Sequence, residues 1–175
     1  MSEHVCSSYL VQAECRQVRQ RIDELLCTSD EQIQKCLEYL SQTHGKMIRP
    51  ILVLLSARCI GQIQSEHIDL AAMVELVHRA SLLHDDVIDS AQMRREKPTA
   101  NALWGNTAAV LLGDFLLSRA FFLGTSIRIN GAAGILCQTA QELCCGELKQ
   151  NFWKDKWDIS QEQYYQVIEA KTAAL

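Results

Sequence analysis

A chain of 175 residues has the length of one domain, and 48% hydrophobic residues provide enough apolar material for a substantial core. Its formal net charge of −4 argues against nucleic-acid binding, which requires a basic surface. No continuous apolar run reaches the roughly 18 residues needed to span a bilayer, and we expect no signal peptide at the polar start of the chain.

The eight cysteines are scattered along the chain, and none forms a CxxC pair. This spacing suits neither a zinc site nor a disulfide-stabilised scaffold. Buried, reduced thiols that act as small hydrophobic groups are the better interpretation. They predict a cytoplasmic protein.

Apolar residues recur at helical rather than alternating spacing, and the chain has only two prolines and eight glycines. We therefore predict an all-α fold. The first helix is expected over residues 3–26. Ser29 and Gln32 have the spacing of a capping box and should begin the second helix.

The third predicted helix follows a loop that carries Lys46 and Arg49. Its apolar run, ILVLLSARCI, should begin near Pro50 and end at Gly61. Cations beside the exposed N–H groups at the start of a helix form an anion site. Two basic loop residues by themselves, however, are more often simply solvated.

The fourth predicted helix is capped by Ser65 and carries the run VELVHRASLLHDDVIDS. Near its end Asp85 and Asp89 lie one turn apart, on one face of the helix. Like charges repel unless a cation lies between them, and Mg²⁺ prefers oxygen ligands together with substrate phosphates. Because Arg94 and Arg95 follow, this DDxxD pattern predicts a site for Mg²⁺ and a polyphosphate. A solvated acidic helix end is the alternative, but these carboxylates follow an apolar run, where unpaired charge is costly.

The remaining chain is predicted as a loop and three helices. Pro98 interrupts any helix and marks the loop, and Asn106 should cap a helix that ends at Gly124. Another helix follows. Ser160 and Gln163 then form a second capping box, which begins the last helix.

The order of these motifs resembles that of one family. LLHDDVID and MRR, preceded by GKMIRP and followed by GDFLLSRAF, resemble the trans-isoprenyl diphosphate synthases, also called polyprenyl synthetases, and in particular the octaprenyl-type long-chain members. The resemblance extends from about Lys46 to Leu175. It implies the all-α isoprenoid-synthase bundle and a prenyltransferase that condenses isopentenyl diphosphate with an allylic diphosphate such as farnesyl diphosphate.

The resemblance also implies roles for individual residues. The catalytic residues are Asp85, Asp89, Arg94 and Lys171, and the ligands of Mg²⁺ are Asp85, Asp86 and Asp89. Isopentenyl diphosphate is bound by Lys46, Arg49, His78 and Arg95, and the allylic diphosphate by Arg94, Lys171 and Thr172. Ala80 and Ser81 are small where short-chain enzymes of the family have large aromatic residues. A long all-trans product, of the kind used as a quinone side chain, is therefore expected. His84 has no role that the resemblance explains, and we expect it to be structural.

Three other functions are weighed against this one. A class I terpene cyclase also uses a DDxxD–magnesium site on an all-helical fold, but it holds a single diphosphate and has no use for Lys46, Arg49 and His78 together. A non-catalytic subunit would not need to retain every site residue of this part of the chain. A helical scaffold with fortuitous charge clusters would not place six motifs in the family's order.

Family members are longer than this chain and carry a second aspartate-rich motif beyond the Lys-Thr pair, and no second DDxxD occurs here. The chain also ends inside an apolar helical pattern, without Gly, Asn or Pro to stop it. We expect residues 1–175 to be the N-terminal part of a single polyprenyl synthetase domain and to be poorly active by themselves. Exposed apolar faces and the resemblance lead us to expect a homodimer, with release of the product at a membrane surface.

Overall fold

The computed structural model describes residues 9–42, 45–129 and 131–175 of the chain. Helices dominate these residues, which confirms the predicted all-α fold class. A two-stranded hairpin and a π-helical turn at Glu169–Ala173 are also present. The helices are α1 (Gln12–Leu25), α2 (Glu31–Ser41), α3 (Ile48–Ile60), α4 (Ser65–Ile88), α5 (Ala100–Ser126), α6 (Ala132–Phe152) and α7 (Gln161–Ile168). Of the first predicted helix, residues 3–8 lie outside the described residues.

The chain divides into two compact units, Met1–Ile129 and Asn130–Leu175. The first contains α1 to α5 and the hairpin, and the second contains α6, α7 and the π-helical turn. In the second unit the π-helical turn packs against both α6 and α7.

The core of the first unit lies around α4, which packs along α5 and also contacts α1 and α3. One large aliphatic side chain from each of these helices is almost completely buried: Ile22, Leu54, Leu76 and Leu116. Burial of such a side chain contributes about 1.5–3 kcal/mol. The four helices therefore hold one another in place through a shared apolar core.

Two helix starts differ by one residue from the prediction. Asp30, rather than Ser29, caps α2, because its Oδ1 accepts hydrogen bonds from the N–H groups of Gln32 at 2.9 Å and Ile33 at 3.0 Å. Ser65 is the first residue of α4 rather than its cap. The backbone N–H of Gln64, just before it, donates to Nδ1 of His67 at 2.9 Å.

Helix α3 begins at Ile48, two residues before the predicted start. Pro50 lies within its first turn, where a missing N–H costs no helical hydrogen bond. The predicted end at Gly61 is confirmed, and the N–H of Gly61 donates to the carbonyl oxygen of Ala57 at 3.0 Å. Met47 precedes the helix in a left-handed conformation with φ of 54°.

Helix α5 begins earlier than predicted, at Ala100 instead of after Asn106. Thr99 caps it by accepting a hydrogen bond from the N–H of Ala102. Gly105, with φ of 83° and ψ of 164°, breaks the helical conformation, and regular helix resumes at Asn106. The sequence prediction thus located an internal break and took it for the start of the helix.

The expectation of no membrane-length segment also needs correction. In the described part of the chain α5 has 27 residues and contains an 18-residue window with a mean hydropathy of 1.5, so that length and composition alone would let it cross a membrane. The structure instead packs one side of it against α4. Core helices of globular proteins commonly have this composition.

In the second unit the predicted capping box of the last helix is confirmed. Oγ of Ser160 accepts from the N–H of Gln163 at 3.2 Å, and the Gln163 side chain accepts from the N–H of Ser160 at 2.8 Å. Helix α7 then passes into the π-helical turn. There the N–H of Ala174 donates to the carbonyl oxygen of Glu169, five residues earlier, at 2.8 Å.

Candidate anion- and metal-binding site

The aspartate run lies at the C-terminal end of α4, as predicted. Asp89 is the last residue before the turn, and its N–H donates to the carbonyl oxygen of Asp85 at 2.8 Å, one turn earlier. Ser90 follows with φ of 52°, and the N–H of Ala91 donates to the carbonyl oxygen of Asp86 at 2.9 Å, which closes the helix end. Carboxylates are disfavoured at the negative end of the helix dipole. Asp85 and Asp89 therefore share a face where a cation would be stabilised.

Asp86 differs from its two neighbours, because its side chain is only 6% exposed and faces a single guanidinium. Nε of Arg94 lies 2.9 Å and 3.1 Å from the two carboxylate oxygens of Asp86, and Nη2 lies 2.7 Å from Oδ1. The hydrogen bonds that Arg94 donates to Asp86 raise the pKa of Arg94 above its usual value. The sequence grouped Asp86 with the metal ligands, whereas the structure engages both of its oxygens with Arg94.

Arg94 belongs to a short hairpin where the sequence predicted only a loop. Strand β1 (Met93–Arg94) pairs with β2 (Lys97–Pro98) in antiparallel register. Arg95 and Glu96 form the two-residue turn, and both have left-handed φ values, 49° and 66°. This geometry usually requires Asn and Gly, so the hairpin must be held by contacts with the rest of the protein.

Several such contacts are present. The Tyr39 hydroxyl of α2 donates to the carbonyl oxygen of Pro98 at 2.9 Å, and Nζ of Lys97 donates to the carbonyl oxygen of Gln42 at 3.3 Å. On the other side, the Arg94–Asp86 ion pair ties the hairpin to α4. The hairpin is therefore fixed between α2 and α4, with Arg95 at its tip.

A cavity of about 720 Å³ opens in the first unit between the hairpin, α4 and the start of α3. Its wall contains more cations than carboxylates. The cations are Lys46, Arg49, Arg79, Arg94, Arg95 and Lys97, and the carboxylates are Glu75 and Asp86. Each carboxylate is paired with one arginine, and the other four cationic groups of this wall have no carboxylate partner among the residues that the structure describes.

The loop that carries Lys46 meets the hairpin at Gly45. A Cβ atom at this position would lie 2.8 Å from Nη1 of Arg95, so the absence of a side chain lets the guanidinium approach the backbone. Lys46 follows directly and is exposed, and Arg49 is half-buried. The structure therefore brings the predicted basic residues of two separate motifs to one cavity.

His78 lines the same cavity from α4. Burial, as the largest cause, and four nearby guanidinium groups together lower the pKa of its imidazole to about 4. These belong to Arg49, Arg95, Arg79 and Arg94, in decreasing order of effect. At pH 7 the imidazole is therefore neutral and can hydrogen-bond to an anion without carrying charge itself.

Sequence reasoning missed a buried ion pair in the cavity wall. Nε of Arg79 lies 3.2 Å from Oε1 of Glu75, and the two side chains are 12% and 5% exposed. Nη2 of Arg79 also lies 4.0 Å from Sδ of Met47, the left-handed residue between Lys46 and Arg49. The spacing of four residues between Glu75 and Arg79 on a helix was the available signal.

The two residues assigned to product length lie elsewhere on α4. Ala80 is completely buried, and Oγ of the half-buried Ser81 donates to the carbonyl oxygen of His78 at 2.8 Å. Neither lines the cavity described above. Their effect on product length stays a prediction.

The predicted Lys171–Thr172 pair lies in the second unit, in the π-helical turn. Nζ of Lys171 is 2.6 Å from Oε2 of Glu147 on α6. A Cβ atom on Gly146 would lie 2.8 Å from the backbone N of Lys171, so this glycine permits close packing of the turn on α6. Single π-helical turns are frequent at functional sites.

The described residues contain no group of three or more Cys, His, Asp or Glu side chains arranged to hold a metal. Two carboxylates on one helix face are nevertheless a suitable set for Mg²⁺, which is often bound by one or two carboxylates, several waters and substrate phosphates. Asp85 and Asp89 supply hard oxygen ligands beside a cationic cavity. The donor set therefore fits Mg²⁺ together with a diphosphate.

Known proteins are similar to this chain in sequence and in fold. The polyprenyl synthetase family model matches residues 30–175. An octaprenyl diphosphate synthase of Escherichia coli (strain K12) is 42% identical over 137 residues, which cover 78% of this chain and 42% of that protein.

Two solved structures are also similar. A decaprenyl diphosphate synthase from Rhodobacter capsulatus has a TM-score of 0.93 and 35% identity, covering 98% of this chain and 53% of its own. A polyprenyl synthase from Caulobacter crescentus CB15, complexed with calcium and isoprenyl diphosphate, has a TM-score of 0.91 and 35% identity, covering 96% of this chain and 51% of its own. The chain therefore spans about half the length of the relatives that it matches.

Proposed function

The chain belongs to the polyprenyl synthetase family, and from this premise we propose that it supplies the isopentenyl diphosphate site and part of the metal site of a long-chain polyprenyl diphosphate synthase. The reaction would condense isopentenyl diphosphate with an allylic diphosphate such as farnesyl diphosphate. The observation that carries this proposal is the cationic cavity around neutral His78, next to the helix face of Asp85 and Asp89.

The cavity suits isopentenyl diphosphate because its charge and its polar groups match a diphosphate. Lys46, Arg49 and Arg95 would neutralise the phosphate oxygens, and His78 would add a hydrogen bond. Holding this substrate in one orientation places its double bond for attack on the allylic carbon, which is catalysis by positioning. A class I terpene cyclase holds one diphosphate only, so this second anion site favours the synthase.

The allylic diphosphate is assigned to Asp85, Asp89 and Arg94 of the first unit, and the role of Lys171 and Thr172 in binding it stays a prediction. Mg²⁺ bound by Asp85 and Asp89 would supply neutralisation of the charge that develops on the leaving diphosphate. Arg94 would contact the same diphosphate, and its ion pair with Asp86 would fix the orientation of its guanidinium group. We therefore assign Asp86 to positioning Arg94 and not to the metal.

The apolar surroundings protect the allylic cation that remains after the diphosphate leaves. Leu82, Leu83 and Leu116 line the cavity beside its charged wall. Such side chains exclude water, which would otherwise capture the cation. No side chain of the described residues stands out as a base, so we assign the final proton transfer to the departing diphosphate.

We propose a homodimer, because an exposed apolar stripe runs along α5. Val110 and Phe121 lie eleven residues apart, close to three helical turns, and so do Leu111 and Phe122. All four side chains are between 38% and 61% exposed. Leu111→Lys combined with Phe122→Lys should convert a dimer into a folded monomer in sedimentation experiments. A wild-type chain that sediments as a monomer at micromolar concentration would contradict this interface.

The proposal extends to the product and to the location of the protein. The small Ala80 and Ser81 support a long all-trans product, and such an apolar chain would be released at a membrane surface. The expected burial of the thiols is wrong, because five of the seven cysteines among the described residues are exposed and two are half-buried; all seven are unpaired. This is the state expected in a cytoplasmic protein.

Calorimetry of pyrophosphate binding in the presence of Mg²⁺ tests the proposal. Asp85→Ala and Asp89→Ala should abolish Mg²⁺-dependent binding, because either change removes half of the carboxylate pair. Lys46→Ala should weaken mainly the binding of isopentenyl diphosphate. Glu66→Ala is the matched control, a partly exposed acid in the first turn of the same helix. Unchanged Mg²⁺-dependent binding in Asp85→Ala would overturn the metal assignment.

A further inference from the structure

The side chain of His84 packs closely against α5. Its Nε2 lies 3.2 Å from the carbonyl oxygen of Val110 and 3.4 Å from Oδ1 of Asp114. The ring rests directly on Gly113, where a Cβ atom would lie 2.6 Å from Cδ2 of the imidazole. The space that the ring occupies therefore exists only because residue 113 is a glycine.

The consecutive residues His84, Asp85 and Asp86 thus lie on different faces of α4. His84 is held by α5, and Asp86 is held by Arg94 of the hairpin. Asp85 lies between them, about 100° around the helix from each neighbour. Two anchors on either side of Asp85 restrict both rotation and sliding of the helix end.

We infer that His84 is a positioning residue, which fixes the last turns of α4 so that Asp85 and Asp89 present their carboxylates to a metal. The inference rests on the proposed function, because it concerns the metal site assigned there. A divalent cation needs its ligands within a few tenths of an ångström of the correct geometry. A helix end that is already immobilised meets this requirement without a further loss of conformational entropy on binding.

The contact between His84 and α5 is a hydrogen bond as well as a packing contact. The Nε2–H group donates to a backbone carbonyl that belongs to the facing helix, so the ring has one defined orientation. Groups that orient metal ligands without touching the metal typically change metal affinity about 10- to 100-fold when removed. His84 directly precedes the proposed ligand Asp85 in the chain, and its side chain is hydrogen-bonded to a different helix, α5. It can therefore orient the ligand without touching the metal.

The experiment compares pyrophosphate binding with Mg²⁺ and with EDTA for the full chain and four variants. His84→Ala removes the support, and we expect Mg²⁺-dependent binding to weaken about 10- to 100-fold. Binding in EDTA reports on the cationic cavity and should change less than twofold. His84→Gln keeps an N–H near the position of Nε2 and should restore most of the Mg²⁺-dependent affinity.

Gly113→Ala perturbs the same contact from the other side, because the added methyl group takes the place of the ring. Its Mg²⁺-dependent affinity should fall, and the double variant Gly113→Ala with His84→Ala should be no weaker than His84→Ala alone. Urea denaturation of each variant separates folding from binding, and affinities are compared only under conditions where the chain is fully folded.

The outcomes distinguish this inference from the proposed function. Absence of Mg²⁺-dependent binding in the wild-type chain would contradict the proposed metal site itself. Equal Mg²⁺-dependent affinity in the wild-type, His84→Ala and Gly113→Ala chains would leave the metal site intact and overturn the positioning role. A fall in stability without a fall in affinity would likewise reduce His84 to a packing residue.

Discussion

The pKa of His78 reports both the burial of its side chain and the positive charge around the cavity. The ordinary pKa of histidine is 6.5, and in the folded protein that of His78 is lowered to about 4, first by burial and then by the four arginines. This difference corresponds to about 3 kcal/mol between the charged and neutral imidazole, taken as an upper limit for a half-buried group. Protonation is therefore more favourable in the unfolded chain than in the folded one.

The sign of the pH dependence follows from this lowered value. The contribution of neutral His78 to stability is fully present above pH 6.5, and it is lost as the pH falls through 6.5 towards 4. Urea denaturation at pH 7 and pH 4 should show a fall in the free energy of unfolding, and His78→Gln should show a fall smaller by up to about 3 kcal/mol. The two chains are compared at each pH, so that titration of carboxylates cancels.

Ligand binding provides the second half of the measurement. Pyrophosphate bound beside the arginines would compensate their charge, and the pKa of His78 should rise in nuclear magnetic resonance titrations of its ring protons. It should stay below 6.5, because burial is the largest cause of the lowered value. An imidazole that titrates near 6.5 in the free protein would refute the reasoning that places His78 inside this cationic cavity.

Four other changes test separate features of the structure. Asp86→Ala should destabilise the chain by about 1–3 kcal/mol in urea denaturation and weaken pyrophosphate binding, because Arg94 loses its support; unchanged binding would contradict that role. Glu96→Gly should raise the free energy of unfolding by up to about 1 kcal/mol, since glycine accepts the left-handed turn, and Glu96→Ala is its control. Gly146→Ala should lower the melting temperature, at a cost of about 1–3 kcal/mol, because the methyl group meets the π-helical turn; an unchanged value would refute that close contact. Ser81→Phe in a chain extended through the second aspartate-rich motif should shorten the prenyl products in chromatography, and an unshifted distribution would count against an open tunnel past this residue.

Local spacing predicted the parts of the site that lie on one helix. Asp85 and Asp89 share a face because they are four residues apart, and this holds wherever the helix packs. Spacing alone does not determine a helix start, because Ser29 and Asp30 are both good capping residues and only the backbone geometry selects Asp30. The carboxylate of Asp86 looked equivalent to its neighbours, since its partner Arg94 lies eight residues further on.

The hairpin is the clearest case of a feature that the sequence conceals. Its turn residues, Arg95 and Glu96, adopt φ values that sequence patterns associate with Asn and Gly. Contacts from Tyr39, which lies 59 residues before Pro98, and from Asp86, on the helix just before the hairpin, hold it instead. Tertiary contacts that override local preference leave no periodic signal for a sequence analysis to detect.

The order of His84, Asp85 and Asp86 on α4 also restricts how relatives of this chain could vary in length. Inserting or deleting one residue between His78 and Asp85 would rotate the aspartates by about 100° relative to the cavity wall, while the core face of the helix stayed buried. An insertion of seven residues, close to two full turns, would recover the rotation but lengthen the helix by about 10.5 Å. His84 would then lie beyond Gly113 and lose its contact with it. Variation in length is therefore expected in the segment between α3 and α4, residues 61–64, and not within α4 itself.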